Sequence, residues 1–160
     1  MTSKKLIVYY SLDGNTRFVA ENIAKIINAD LLELKPIKEE VPRNFMKYFW
    51  GGRQVWMKQK PALYSFELNP QNYDTLFIAT PVWAFSHTPA IASFFEAVKL
   101  EKKKVGLICC SGGMKGKTFE NMKEKLAGNE FIGELHLKEP LSNKEKNISL
   151  IKEWLGKISL

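Results

Sequence analysis

The chain has 160 residues and only two cysteines, Cys109 and Cys110, which are adjacent. Neighbouring residues do not readily reach the geometry of an ordinary disulfide, so no disulfide framework is expected and the chain reads as reduced and cytoplasmic. Histidine is equally scarce, with His87 and His136 alone. These four side chains lack the spacing of metal ligands, and no metal site is expected. No apolar run approaches the roughly 20 residues needed to span a bilayer, so no membrane insertion is expected. The opening Met1-Thr2-Ser3-Lys4-Lys5 leads into a short apolar run with no small-residue cleavage site after it, and we read no signal peptide. Internal repeats and low-complexity stretches are also missing.

What is there is ordinary globular usage: 45% hydrophobic and 26% charged residues. That length and composition suit one domain over residues 1–160 with a substantial core. Asp and Glu number 17 against 24 Lys and Arg, a net charge of +7. The excess sits in residues 35–60, at +5, and 101–128, at +4. The first of these also holds Phe45, Tyr48, Phe49, Trp50 and Trp56. Basic residues among aromatics raise the question of nucleic acid. No helix-turn-helix, zinc spacing or RNA-recognition aromatic motif accompanies them, so no nucleic-acid partner is expected.

Along the chain, short apolar runs alternate with helical patterns. Leu6–Tyr10, Asp30–Leu34, Leu76–Ala79, Val105–Cys110 and Phe131–Leu137 read as strands. Asn15–Ile27, Pro89–Val98, Thr118–Leu126 and Lys144–Ile158 place apolar residues on one helical face. Such alternation implies a doubly wound α/β fold with a five-stranded parallel sheet and helices on both faces. Ligands in such sheets sit beyond the carboxyl ends of the strands. Residues 35–73 fit less well. A helix over about Asn44–Met57, weakened at Gly51-Gly52, followed by a loop with Pro61 and Pro70, is the expectation there.

Three loops carry the chemistry. Ser11-Leu12-Asp13-Gly14-Asn15-Thr16 joins the first strand to the first helix. A helix start offers unpaired N–H groups and a partial positive charge, which favour a phosphate. Capping explains one or two of these residues but not the whole polar cluster. The loop is neither a Walker loop nor the three-glycine dinucleotide fingerprint. After the third strand comes Pro81-Val82-Trp83-Ala84-Phe85-Ser86-His87, where Trp83 and Phe85 offer flat faces for a planar ring. His87 reads as structural or exposed. After the fourth strand, Ser111-Gly112-Gly113 permits close backbone approach. Cys110 reads as a small buried hydrophobe.

The run Ile7-Val8-Tyr9-Tyr10-Ser11-Leu12-Asp13-Gly14-Asn15-Thr16, with Ala20 beyond it, resembles the flavodoxin signature. The resemblance, to short-chain FMN-binding members, implies strand order 2-1-3-4-5 and FMN as cofactor. It implies that Ser11, Leu12, Asp13, Gly14, Asn15 and Thr16 form the phosphate loop. It also implies that Pro81, Val82, Trp83, Ala84 and Phe85 line the isoalloxazine, and that Ser111, Gly112 and Gly113 meet its pyrimidine edge. No catalytic side chain is assigned. Two functions follow from it. One is electron transfer through bound flavin to a redox partner protein. The other is an NAD(P)H-dependent FMN reductase acting on a quinone, flavin or other small acceptor. Family members are strongly acidic, whereas this chain is at +7, which points to acidic partners or anionic small molecules. The basic aromatic segment 35–66 either packs as an ordinary second helix and loop or borders the flavin and shapes access.

In the family a peptide of the second loop flips to bond the reduced flavin, a move easiest at glycine. The sequence here is Trp83-Ala84-Phe85-Ser86, without glycine. The expected outcome is weak stabilisation of the one-electron-reduced flavin. A dithionite titration followed by absorbance that builds up a large population of that form contradicts it.

Overall fold

Leu6, Ile7, Val8, Leu76, Phe77 and Ile78 expose no surface at all, which requires a sheet covered on both faces. The computed structural model describes residues 3–38 and 60–160. Its strands are β1 (Lys5–Tyr9), β2 (Asp30–Glu33), β3 (Thr75–Pro81), β4 (Lys104–Ser111) and β5 (Glu130–Lys138). They form one sheet, all neighbours parallel, in the order β2-β1-β3-β4-β5. The helices among the described residues are α1 (Asn15–Ile27), α2 (Pro89–Ala97), α3 (Thr118–Lys125) and α4 (Lys144–Leu155). Fold class and strand order are as expected from the sequence. The proposed helix over Asn44–Met57, with Trp50 and Trp56, lies outside the described residues.

Alternate residues of each strand feed opposite cores, as the period of two demands. Leu6, Val8, Leu76, Ile78 and Leu107 pack with Ile91 and Phe94 of α2 and with Phe119 and Met122 of α3. Ile7, Phe77 and Ile108 pack with Val19 and Ile23 of α1 and with Ile151 and Leu155 of α4. The chain leaves β1 for β2 on one side and continues from β3 on the other. The carboxyl ends of β1 and β3 therefore diverge into two crossovers running opposite ways, and the gap between them is a ready ligand site.

Strand β3 runs further than the sequence suggests. Thr80 and Pro81 pair with Cys109 and Cys110 of β4, and Val82 N–H donates to the Cys110 carbonyl (2.9 Å). Proline is tolerated because it stands at the strand's last residue, where its missing N–H removes no interior bond. Helix α4 stops at Leu155, three residues before the expected end, although Ile158 still packs on the core. Residues 60–73, read as loop, hold an antiparallel bridge from Leu63 to Pro36 and a 3₁₀ turn at Pro70–Asn72.

Trp154 of α4 lies edge-on to Phe77, ring centres 5.9 Å apart, over two strand glycines. A Cβ on Gly106 would come within 2.6 Å of the Phe77 ring, and one on Gly133 within 2.7 Å of Ile158 and 3.0 Å of Trp154. The Gly106→Ala variant is expected to lose about 1–3 kcal/mol through overpacking. Urea denaturation followed by circular dichroism checks this, and an unchanged midpoint refutes it.

Candidate functional site

The carboxyl ends of β1, β3 and β4 open into one cleft. From the first loop, Ser11, Leu12, Asp13, Asn15 and Thr16 line it. Pro81, Val82 and Trp83 come from the second loop, and Cys110, Ser111 and Gly112 from the third. Glu139, which follows β5, completes the wall. Gly14, Ala84, Phe85 and Gly113 stand off the cleft wall and act on its shape.

The first loop turns at Gly14, whose φ of 90° suits glycine. Gly14 N–H donates to Ser11 Oγ (3.2 Å), so the Ser11 side chain folds the loop on itself. The N-cap residue of α1 is Gly14, which has no side chain to cap the first turn. Thr16 Oγ1 is buried and makes no hydrogen bond of normal geometry. Its neighbour, the Cys110 thiol, is a weak partner. The other such hydroxyl among the described residues, that of Thr75, starts the central strand β3, at the amino ends of the strands and away from the cleft. Asn15 Oδ1 accepts from Leu141 N–H (3.1 Å), which ties the loop to the turn after β5 and leaves the Asn15 amide nitrogen as a donor.

The second loop is a two-residue hairpin. Trp83 and Ser86 exchange backbone hydrogen bonds of 2.9 and 3.0 Å. Ala84 and Phe85 between them have φ of 47° and 62°. Both central residues are left-handed, as a type I′ turn demands, and neither is glycine. Each costs about 1–2 kcal/mol in that conformation. Neighbouring groups hold the turn there. Lys117 N–H donates to the Phe85 carbonyl (2.9 Å), and Asn121 Nδ2 donates to Ser86 Oγ (2.8 Å). Gly116 packs so closely beneath Phe85 that a Cβ on it would lie 2.3 Å from the Phe85 Cβ. Trp83 is fixed edge-on against Tyr10, ring centres 5.7 Å apart, while Phe85 is 60% exposed.

In the third loop, Gly113 N–H donates to Ser111 Oγ (3.2 Å), and that oxygen lies 2.7 Å from Nε2 of His136 on β5. A Cβ on Gly112 or Gly113 would meet nothing within 4 Å. Cys110 is buried, and burial pushes its thiol up to about 12, so it stays protonated and is no nucleophile. Among the described residues no cluster of ligating side chains forms a metal site.

The chain belongs to the flavodoxin family. The family matches residues 4–158, almost the whole length. Solved structures agree on the fold. A flavoprotein from Lactobacillus acidophilus, crystallised with FMN, is 23% identical with a TM-score of 0.74, covering 96% of this chain and 99% of that one. A candidate flavoprotein from Bacteroides eggerthii is 26% identical with a TM-score of 0.79, covering 99% of each. A WrbA-like flavodoxin from Agrobacterium tumefaciens is 18% identical with a TM-score of 0.52, covering 81% and 76%. No curated protein matches the chain. No helix among the described residues of this flavodoxin-family chain is long and apolar enough to cross a membrane.

Several residues that shape the cleft carry no sequence signal. Asn121, His136, Glu139 and Leu141 reach it only through folding. His87 is the reverse case, because it sits in a site loop but is buried behind it. Its ring packs edge-on against Phe95 (5.4 Å), and burial, aided by Lys125, lowers its pKa to about 4. The unfolded value lies near 6.5, so the folded state resists protonation. Stability is full above pH 6.5 and is lost as pH falls toward 4. Between pH 7 and pH 5 this group is expected to cost about 2 kcal/mol. Urea midpoints of wild type and His87→Phe over that range check it; parallel slopes refute it.

Proposed function

We propose that the chain is an FMN-binding redox protein that transfers electrons through the bound flavin. The observation that supports this most is the buried Thr16 Oγ1 at the start of α1, whose partner is only the weakly bonding Cys110 thiol. A buried hydroxyl with so weak a partner costs stability, and an anionic oxygen placed there turns that cost into a charge-assisted bond. A phosphate on the α1 N-terminus also meets the positive end of the helix dipole.

The residues of the cleft fit FMN. Thr16, the Asn15 amide and the first-turn N–H groups would hold the phosphate. Trp83, already braced by Tyr10, would flank the ring system. The space above Gly112 would admit its pyrimidine edge against backbone. FMN when bound supplies redox chemistry in one- or two-electron steps. The chain's own part is to bind it, orient it and hold the second loop rigid.

One observation favours the second reading, an NAD(P)H-dependent reductase of a small acceptor. The Trp83–Ser86 turn is pinned through Lys117, Gly116 and Asn121, which resists a peptide flip. A loop that does not rearrange favours paired-electron chemistry. The net charge of +7 also suits an anionic nicotinamide dinucleotide. Anaerobic addition of NADPH to the FMN-loaded protein separates the readings. Rapid bleaching marks a reductase, and persistence of the oxidised spectrum marks a carrier fed by a partner protein.

Thr16→Val tests the site itself. Removing a buried hydroxyl held only by a thiol is expected to change the stability of the apoprotein little, while FMN affinity is expected to fall on the order of ten- to a hundredfold. Gly112→Ala is likewise expected to spare the apoprotein and weaken FMN. Flavin fluorescence titration and urea denaturation measure the two effects. Unchanged FMN affinity in both variants refutes the assignment.

A further inference from the structure

The third loop hangs on a hydroxyl that is itself held by a histidine. Ser111 Oγ has one proton and two lone pairs. One lone pair accepts from Gly113 N–H (3.2 Å), which sets the Gly112-Gly113 turn. The remaining capacity faces His136 Nε2 at 2.7 Å. His136 stands opposite Cys109 in the β4–β5 register, two residues out of step with Ser111, so the contact is a diagonal cross-strand pair. With Nε2 unprotonated, the Ser111 hydroxyl donates to the ring. With both ring nitrogens protonated, Nε2–H donates to Ser111 Oγ instead, and the hydroxyl proton is released toward the cleft that Ser111 lines.

We propose that His136 is a positioning residue of the cleft, which through Ser111 couples the third loop's donor pattern, and hence FMN binding, to a proton. This rests on the FMN reading and adds a regulation of the same site.

Charged and titratable groups surround the ring. Lys138 and Glu134 flank it on β5, and the Cys109 thiol lies opposite on β4. Lys115 approaches from the third loop, while from α3 Glu120 acts on the Cys109 thiol and Lys123 pairs with Glu134. Glu134 is neutralised by its ion pair with Lys123. Lys146 and Glu139 share a surface hollow with His136. Burial, with Lys138 and Lys115, keeps His136 below its ordinary range, so it is neutral at pH 7 without cofactor. An anionic ligand in the adjoining cleft offsets those lysines and favours the protonated ring. Binding therefore takes up a proton, and affinity rises as pH falls through the window between the two values.

The test compares FMN dissociation constants from pH 5.5 to 8 for wild type, His136→Gln, His136→Phe and Ser111→Ala. The differences between proteins cancel the titration of the FMN phosphate itself. His136→Gln keeps a hydrogen-bonding partner for Ser111 but does not titrate. It is expected to match wild type at pH 8 and to fall behind by about three- to tenfold at pH 5.5. His136→Phe is expected to be weaker throughout, and Ser111→Ala to lose most of the pH-dependent difference. Proton uptake on binding, from calorimetry in two buffers of different ionisation heat, should be greater in wild type than in His136→Gln, the phosphate's own contribution being common to both. A purely structural role predicts equal weakening at every pH. A wild-type pH profile in His136→Gln overturns this inference alone. Failure of the wild type to bind FMN at any pH overturns the functional reading as well.

Discussion

The cleft exists because β1, β3 and β4 lie side by side in parallel register. That pairing brings three loops, separated by tens of residues in sequence, to one edge of the sheet. Each strand contributes its last residues and the turn that follows: Ser11 after β1, Trp83 after β3, and Ser111 at the end of β4. Strand β5 adds a fourth contribution. The Asn15–Leu141 bond and the Ser111–His136 contact tie the first and third loops to it and to the turn beyond it. Removing the parallel register would leave three ordinary turns with no shared chemistry.

Within that frame the site stores unfavourable local energy. Thr16 buries a hydroxyl whose partner is only a thiol, and Ala84 and Phe85 adopt left-handed backbone without glycine. Such features persist only where surrounding structure over-determines them, and they concentrate at binding sites. The two kinds of strain have different outlets. Under the proposed function a ligand oxygen would satisfy Thr16, whereas Lys117, Gly116 and Asn121 stabilise the turn from within the protein.

The turn corrects an inference that sequence alone invites. The lack of glycine between Trp83 and Ser86 suggests a backbone that avoids positive φ, yet both central residues adopt it. The signal was one strand away, in the loop after β4, at Gly116, whose missing side chain leaves room for Phe85. The two histidines differ. His87, read from the sequence as structural or exposed, is buried behind its loop. His136, which has no motif around it, touches a cleft residue.

By itself the sequence determined the fold class, the strand order through its resemblance to flavodoxins, and the three polar or glycine-bearing loops. These are legible because buried strands and amphipathic helices impose local periodicities, and because a phosphate loop is one contiguous segment. Tertiary structure alone decided which members of those loops line the cleft, and that the Thr16 hydroxyl is buried against a thiol. It also decided that a glycine-free turn holds its shape and that His136 reaches Ser111. The physical reason is range. Periodicity and capping act over one to four residues, whereas hydrogen-bond satisfaction and steric room depend on atoms up to 126 residues apart, as between Asn15 and Leu141.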